Sequence, residues 1–305
     1  MNFFKIYLFI LTTIFYNRLY CQNSDKPNII YIYIDQLSET MMSCAGNKYL
    51  KTPAIDYIAR NGIRFTRAYT TNPVCSPARV SLMTGRFPGY FKDNEGNQVR
   101  ENRGSMRITQ ISKSVSTNNI AVLLRRAGYD LIYGGKEHLP APLSPKNLGF
   151  QIISNDERDD LAKEAANFIS KNHDNPYFMI VSLINPHDIC YMAIRDFAET
   201  EEDHSILENG NEELKNLEEA LQLPVNISIE KFFNEICPPL PLNFEPQEDE
   251  PLAVKSLIKR RSFRESARER YTPEQWRMHR WAYARLTEKV DSQIQIILDA
   301  LKQSG

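Results

Sequence analysis

Residues 28–35 read NIIYIYID, and this stretch decides the fold class. Residues 29–34 are a continuous run of β-branched and aromatic side chains, which is typical of a parallel strand buried on both faces. In the next segment, Thr52 stands at the N-cap position, Pro53 at the first helical position and Gly62 at the C-cap position, so the sequence predicts a helix over residues 53–61. A strand followed by a helix indicates an α/β fold.

The same alternation recurs twice along the chain. A predicted helix over residues 119–127 precedes a predicted strand over 130–133, and a predicted helix over 159–170 precedes the stretch YFMIVSLINPHD at 177–188. This order predicts a largely parallel central sheet flanked by helices. Because parallel strands present their carboxyl ends at one edge, polar residues that follow them are expected to converge there. The residues concerned are Asp35, Lys136, His138 and His187.

The region after residue 198 has a different composition. Residues 198–250 are rich in Asp and Glu and end in a Pro-rich stretch, and residues 255–270 read KSLIKRRSFRESARER. We interpret residues 198–270, approximately, as a variable insertion on the core. The basic stretch is either a solvated helix face or a docking strip for a polyanionic substrate. Residues 281–305 carry apolar side chains at steps of three and four, which predicts an amphipathic helix packed on the sheet.

Composition and the amino terminus bear on location and partners. The chain has 305 residues with 37 Lys and Arg against 38 Asp and Glu, so no global charge points to nucleic acid. Residues 1–21 have a Lys followed by a short apolar run, which predicts a signal peptide and export to the periplasm or outside the cell, with no transmembrane span in the mature chain. An uncleaved membrane anchor is the alternative.

Four cysteines remain after the leader is removed, and they are too few and too scattered for a disulfide framework. A bridge from Cys44 to Cys190 or Cys237 is left open. The remaining cysteine lies in the stretch PVCSPAR at residues 73–79, beside a proline and four residues before an arginine. This placement favours a chemical role for this cysteine over a disulfide bond.

The stretch PVCSPAR is accompanied by SLMTGRFP, KPNIIYIYIDQ, GKEHLP and NPHD in one order along the chain. Together these segments resemble the formylglycine-dependent sulfatases of the alkaline phosphatase superfamily, from about residue 27 to the end. The resemblance implies that Cys75 is oxidised to formylglycine (3-oxoalanine) by a formylglycine-generating enzyme and becomes the nucleophile. It also implies that Arg79 holds this nucleophile by charge-assisted hydrogen bonds.

The resemblance further implies a metal site and a set of substrate contacts. Asp35, Gln36 and the modified Cys75 would bind Ca²⁺, with Mg²⁺ as the alternative; many family members have two acids where this chain has Asp35 and Gln36. Lys136 would hold the sulfate group and His138 would contact the formylglycine or the leaving group. His187 would contact the sulfate ester and protonate the leaving oxygen.

The expected function is hydrolysis of sulfate esters on a sulfated polysaccharide or its oligosaccharides. Two alternatives stay open: a phosphate or phosphonate ester hydrolase of the same superfamily, and a catalytically impaired glycan-binding remnant. The family supplies further metal ligands after the terminal helix, and the sequence ends at Gly305. We therefore expect residues 22–305 to be the amino-terminal portion of the catalytic domain, with a complementing carboxyl-terminal fragment as a candidate partner and the activity of these 305 residues left open.

Overall fold

The computed structural model describes residues 26–93, 95–97 and 108–304. The signal peptide predicted at residues 1–21 lies outside the described residues. Within the described ranges, none of the helices combines the length and the apolar character that crossing a bilayer requires.

The strands of the described residues are β1 (Ile29–Ile34), β2 (Asp130–Gly135), β3 (Gln151–Ser154) and β4 (Tyr177–Leu183). They form one parallel sheet, as the sequence predicts, in the order β1-β4-β2-β3, but β3 was not predicted. Strand β4 is buried along its whole length. Strand β1 lies at the edge of the described sheet and is less buried than predicted, since Tyr31 is 37% exposed. The α/β fold class is confirmed.

Helices cover both faces of the sheet. They are α1 (Pro53–Asn61), α2 (Cys75–Thr84), α3 (Lys113–Ser116), α4 (Ile120–Arg126), α5 (Asp159–Ile169), α6 (Cys190–Phe197), α7 (Glu201–Asn209), α8 (Asn211–Leu221), α9 (Ile229–Lys231), α10 (Leu252–Lys259), α11 (Ser262–Arg270) and α12 (Pro273–Ser304). Short 3-10 turns lie at Ser43–Ala45, Pro88–Tyr90, Ala141–Leu143 and His187–Ile189, and a π-helical turn lies at Phe232–Ile236.

Two apolar clusters fix the layers. On one face, Leu161 of α5 and Ile294 of α12 pack with Met179 of β4. On the other face, Val80 of α2 packs with Leu131 of β2. Burying both faces of the central strands β2 and β4 in this way stabilises the parallel sheet, because little of their apolar surface is left in water.

The terminal helix α12 is longer than predicted and also caps α1. The carboxylate of Asp291 accepts hydrogen bonds from the backbone N–H groups of Ala54 (3.1 Å) and Ile55 (2.8 Å). Thr52 is the N-cap residue of α1, as predicted, but its side chain makes no capping bond, and its hydroxyl instead accepts from the backbone N–H of Ser43 at 2.9 Å. A distant acid therefore replaces the local cap.

We call residues 198–270 the helical segment, which contains α7 to α11. Phe263 and Ala267 of α11 pack in one cluster with Ile189 and Met192, which belong to the turn and helix that follow β4. The helical segment is thus attached directly behind the end of β4. The cysteines that the structure describes, namely Cys44, Cys75, Cys190 and Cys237, are free thiols, so neither disulfide left open by the sequence is formed.

Candidate active site

A cleft of about 1100 Å³ lies beside β1 and reaches the carboxyl ends of β1 and β4. Asp35 and Gln36 enter it directly after β1, and His187 enters it from the turn after β4. Cys75 lines the same cleft from the first residue of α2. The convergence predicted from the order of strands is therefore found.

Cys75 and His138 are in direct contact across the mouth of α2. The Cys75 Sγ lies 2.9 Å from the His138 Nδ1, within hydrogen-bonding distance for sulfur. Helix α2 begins at Cys75, so the thiol sits in the first turn, where the free N–H groups give a positive potential. His138 has a φ of 45°, an unusual backbone conformation for a residue other than glycine.

Three buried charges lie beneath the cleft. The Asp35 Oδ2 is 2.5 Å from the Lys136 Nζ and 3.5 Å from the Arg79 Nη2, and each of these residues is less than 10% exposed. Burial by itself disfavours the charged carboxylate, but the two cations outweigh it and hold the pKa of Asp35 below its usual range. Two cations against one anion leave this cluster with an excess positive charge that attracts anions.

Arg79 is fixed from several sides. Its Nη1 donates to the backbone carbonyl of Lys136 (2.8 Å) and to the Ser182 Oγ (2.7 Å). The Tyr133 hydroxyl donates to the same carbonyl at 2.6 Å. This close packing depends on Gly135, which has a φ of 88° and where a Cβ atom would collide with the backbone oxygen of Ser182. Sequence reasoning identified Arg79 but not these partners.

Gln36 is also held in an unusual conformation, with a φ of 65°. Its side-chain Oε1 accepts a hydrogen bond from the Cys190 Sγ at 3.1 Å. Its backbone carbonyl accepts one from the Tyr283 hydroxyl at 2.5 Å, and that hydroxyl accepts from the Ser38 N–H at 2.9 Å. Cys190 and Tyr283 are functional candidates that the sequence analysis missed, because no local pattern joins them to residue 36.

His187 and Asp188, which are adjacent in the sequence, have different surroundings. Burial, reinforced by the nearby Lys136, lowers the pKa of His187 to about 4, so its imidazole is neutral near pH 7. Asp188 is fully buried and accepts two hydrogen bonds from the Arg158 Nη2, at 3.0 and 3.1 Å. Arg158 also pairs with Glu212 (3.3 Å) and Glu213 (3.1 Å) of the helical segment. This network fixes the turn that carries His187.

The donors for a metal ion match a hard cation in kind but not in number. Asp35 and Gln36 offer carboxylate and amide oxygens, which Ca²⁺ and Mg²⁺ prefer, but Ca²⁺ takes about six to eight oxygens. Among the described residues, no group of three or more His, Cys, Asp or Glu side chains is arranged to hold a metal. The described residues therefore do not provide a complete set of ligands for a cation, and the calcium assignment stays a prediction.

The predicted site residues are thus close together in the structure. They are Asp35, Gln36, Cys75, Arg79, Lys136, His138 and His187. The contacts among them are observed, while the role that the family resemblance gives to each one stays a prediction.

Known proteins match this chain in sequence. The family model described as Sulfatase matches residues 27–305. An ulvan-active sulfatase of Formosa agariphila is 29% identical over 170 residues, which cover 54% of this chain and 31% of that protein. An N-acetylgalactosamine-6-O-sulfatase of Bacteroides thetaiotaomicron is 38% identical over 125 residues, which cover 41% of this chain and 22% of that protein. The matched segments span about a third or less of these relatives.

A solved structure agrees in fold. The structure of a 2-O GAG sulfatase superposes with a TM-score of 0.65 at 22% identity, over 92% of this chain and 55% of that one. The likeness confirms the alkaline phosphatase-like arrangement of a parallel sheet between helices. Since the family model matches almost the whole described chain, the protein belongs to the sulfatase family.

Proposed function

We propose that this chain carries the catalytic centre of a sulfatase that hydrolyses sulfate esters on a sulfated polysaccharide or its oligosaccharides. The observation that carries the proposal is the contact of Cys75 with His138 at an open cleft, above a buried cluster with excess positive charge. The two relatives described above are an ulvan-active sulfatase and an N-acetylgalactosamine-6-O-sulfatase, which supports a sulfated glycan as the substrate.

The proposed nucleophile is formylglycine made from Cys75 by a formylglycine-generating enzyme. Its hydrated aldehyde supplies two hydroxyl groups, one that takes up the sulfuryl group and one that allows its release. The chain's own residues prepare the site for an anionic ester: the first turn of α2, Arg79 and Lys136 provide positive potential where the sulfate enters. His138, at 2.9 Å from Cys75, is placed to exchange a proton with the modified side chain.

His187 has the role of contacting the ester and its leaving oxygen. In the free site its imidazole is neutral near pH 7, because burial lowers its pKa to about 4. A bound sulfate places negative charge nearby and raises the affinity of His187 for a proton. His187 therefore binds the ester first as a hydrogen-bond donor and gains proton-donating capacity as the charge arrives.

Asp35 and Gln36 are the proposed ligands of a divalent cation, with Ca²⁺ first and Mg²⁺ second. Such an ion would neutralise charge on the sulfate and polarise the ester. Export of the protein to the periplasm or the outside of the cell is proposed from residues 1–21 alone.

The modification can be tested directly in a host that contains the maturation enzyme. Tryptic cleavage after Arg67 and Arg79 releases the peptide AYTTNPVCSPAR, and mass spectrometry distinguishes the cysteine from the lighter aldehyde. We expect the aldehyde. An unmodified thiol in such a host would contradict the proposed nucleophile.

Activity on 4-nitrophenyl sulfate tests the reaction, and Cys75→Ala should lower it by about a thousandfold or more. The first alternative, a phosphate or phosphonate ester hydrolase, predicts that a phosphonate monoester is turned over faster than the aryl sulfate by the same sample. The second, a glycan-binding remnant, predicts binding of sulfated oligosaccharide without turnover or calcium binding.

A further inference from the structure

The cleft contains a basic residue that the proposed reaction does not use. Arg264 lines the same cleft as Gln36, Cys75 and His187, but it comes from α11 of the helical segment. The cleft volume of about 1100 Å³ is that of a site for a whole small ligand, far more than one sulfate group requires. A substrate that reaches Cys75 therefore extends along walls that include Arg264.

Arg264 differs from the other basic residues of its stretch by lining the cleft. Arg261 pairs with Glu202 at 2.8 Å, and Arg268 binds Glu250 through two hydrogen bonds of 2.9 and 2.8 Å. In the part of the chain that the structure describes, the Arg264 guanidinium forms no ion pair with a carboxylate. Other basic residues of the stretch, Arg260 among them, also lack an ion pair among the described residues, but they lie outside the cleft lining, so the unpaired charge at the cleft is that of Arg264.

The position of Arg264 is fixed relative to His187. Its neighbours Phe263 and Ala267 are buried in the cluster that contains Ile189 and Met192, immediately after the turn of His187. The paired arginines and the buried apolar residues hold both ends of α11. Because the same packing holds α11 and the His187 turn, the backbone of Arg264 is held on a helix beside that turn, and its exposed side chain reaches the cleft from there.

A guanidinium in this setting selects for a planar or tetrahedral anion, since its N–H groups match two oxygens at once. We propose that Arg264 binds a second anionic group of the substrate, a sulfate or carboxylate separate from the sulfate ester at Cys75. This inference rests on the proposed function and narrows it, because the preferred substrate is a glycan with at least two anionic groups within the cleft.

The test is a calorimetric titration of the full chain at constant salt and calcium concentrations. The ligands are a sulfated disaccharide with two sulfate groups and the same disaccharide with one. Arg264→Gln should weaken binding of the disulfated ligand by about tenfold, and binding of the monosulfated ligand by much less. Arg260→Gln is the matched control, because Arg260 is an exposed residue of the same stretch outside the cleft lining, and it should change neither affinity.

The affinity ratio of the two ligands is the decisive number. A ratio that stays unchanged in Arg264→Gln, or a wild-type chain that binds both ligands equally or binds neither, would overturn the proposal. Hydrolysis of 4-nitrophenyl sulfate by the wild-type sample tests the proposed function separately. A wild-type chain that shows the expected affinity ratio without hydrolysis would support the Arg264 site and contradict the proposed reaction.

Discussion

Charged side chains are buried at the carboxyl ends of the strands, which we call the rim, and are more exposed in the helical segment. At the rim, Asp35, Arg79 and Lys136 are all less than 10% exposed and form ion pairs in the interior. In the helical segment, the partner of Arg261 is Glu202, whose side chain is 67% exposed. The ion pairs have similar distances in the two regions, but the free energy lost when a pair is broken differs between them.

The difference follows from desolvation. A buried ion that loses its partner cannot regain water, so breaking one side of a buried pair is costly. An exposed pair exchanges its partner for water at little cost, and its contribution is small. We therefore expect mutations at the rim to change stability and function together, and mutations of exposed pairs in the helical segment to change neither by much.

The largest expected effect is that of Asp35→Asn, which leaves the Lys136 and Arg79 charges buried without their anion. The free energy of unfolding should fall by about 4 kcal/mol. Urea unfolding in the presence of a chelator measures this, because a chelator removes any contribution of a bound cation. Glu202→Gln breaks the exposed pair with Arg261 and should cost about 0.5 kcal/mol. Equal decreases in the free energy of unfolding of the two variants would contradict the expected difference between buried and exposed ion pairs.

The residues of the rim could be predicted from the sequence because the order of the strands determines where these residues lie. A buried run ending in Asp35, a strand before Lys136 and a strand before His187 are all readable locally, and the parallel arrangement then places their ends together. Family resemblance added Cys75 and Arg79. Nothing more than strand order and motif was needed to bring these residues into one cleft.

The partners of these residues were not predictable, because they depend on how helices pack. Asp291 caps α1 across 237 positions, and Cys190 reaches Gln36 across 154. Thr52 occupies the predicted N-cap position without a side-chain capping bond, because its hydroxyl accepts from the Ser43 N–H. Arg264 could be identified as basic, but its place at the cleft follows from the packing of α11.

Arg158 joins the two regions, and its removal should have the second largest effect. Arg158→Met leaves the fully buried Asp188 without its three hydrogen bonds from Arg158 and should lower the free energy of unfolding by about 3 kcal/mol. Because Asp188 follows His187, the turnover of 4-nitrophenyl sulfate should also fall. Urea unfolding and steady-state kinetics measure the two changes.

Arg195→Met is the control for that variant. Arg195 lies on α6 with its side chain 31% exposed, and it pairs with Asp196 and with Glu218 of the helical segment, so the substitution removes the same kind of charge at a more exposed position. The loss should be below about 1 kcal/mol with unchanged turnover. A destabilised Arg158→Met variant that keeps full turnover would show that the network supports the fold alone and does not position His187.

The smallest expected effect concerns two histidines, one at the rim and one on the terminal helix α12. Burial lowers the pKa of His187 at the rim and of His279 on α12, each to about 4. In the unfolded chain the ordinary pKa is about 6.5, so between pH 6.5 and 4 only the unfolded chain takes up these protons, and stability falls as the pH falls through that window. Above pH 6.5 neither histidine contributes to this dependence.

His279→Gln tests this dependence without touching the rim, because His279 packs edge-on against Trp276 at 5.7 Å, away from the cleft lining. The variant should lose about 2 kcal/mol less stability than the wild type between pH 7 and pH 4, leaving the contribution of His187 in place. His204→Gln, at an exposed position on α7, is the control and should follow the wild-type curve. Urea unfolding at a series of pH values measures all three. A His279→Gln curve parallel to that of the wild type would show that burial of the His279 imidazole on α12 does not make the free energy of unfolding depend on pH in this window.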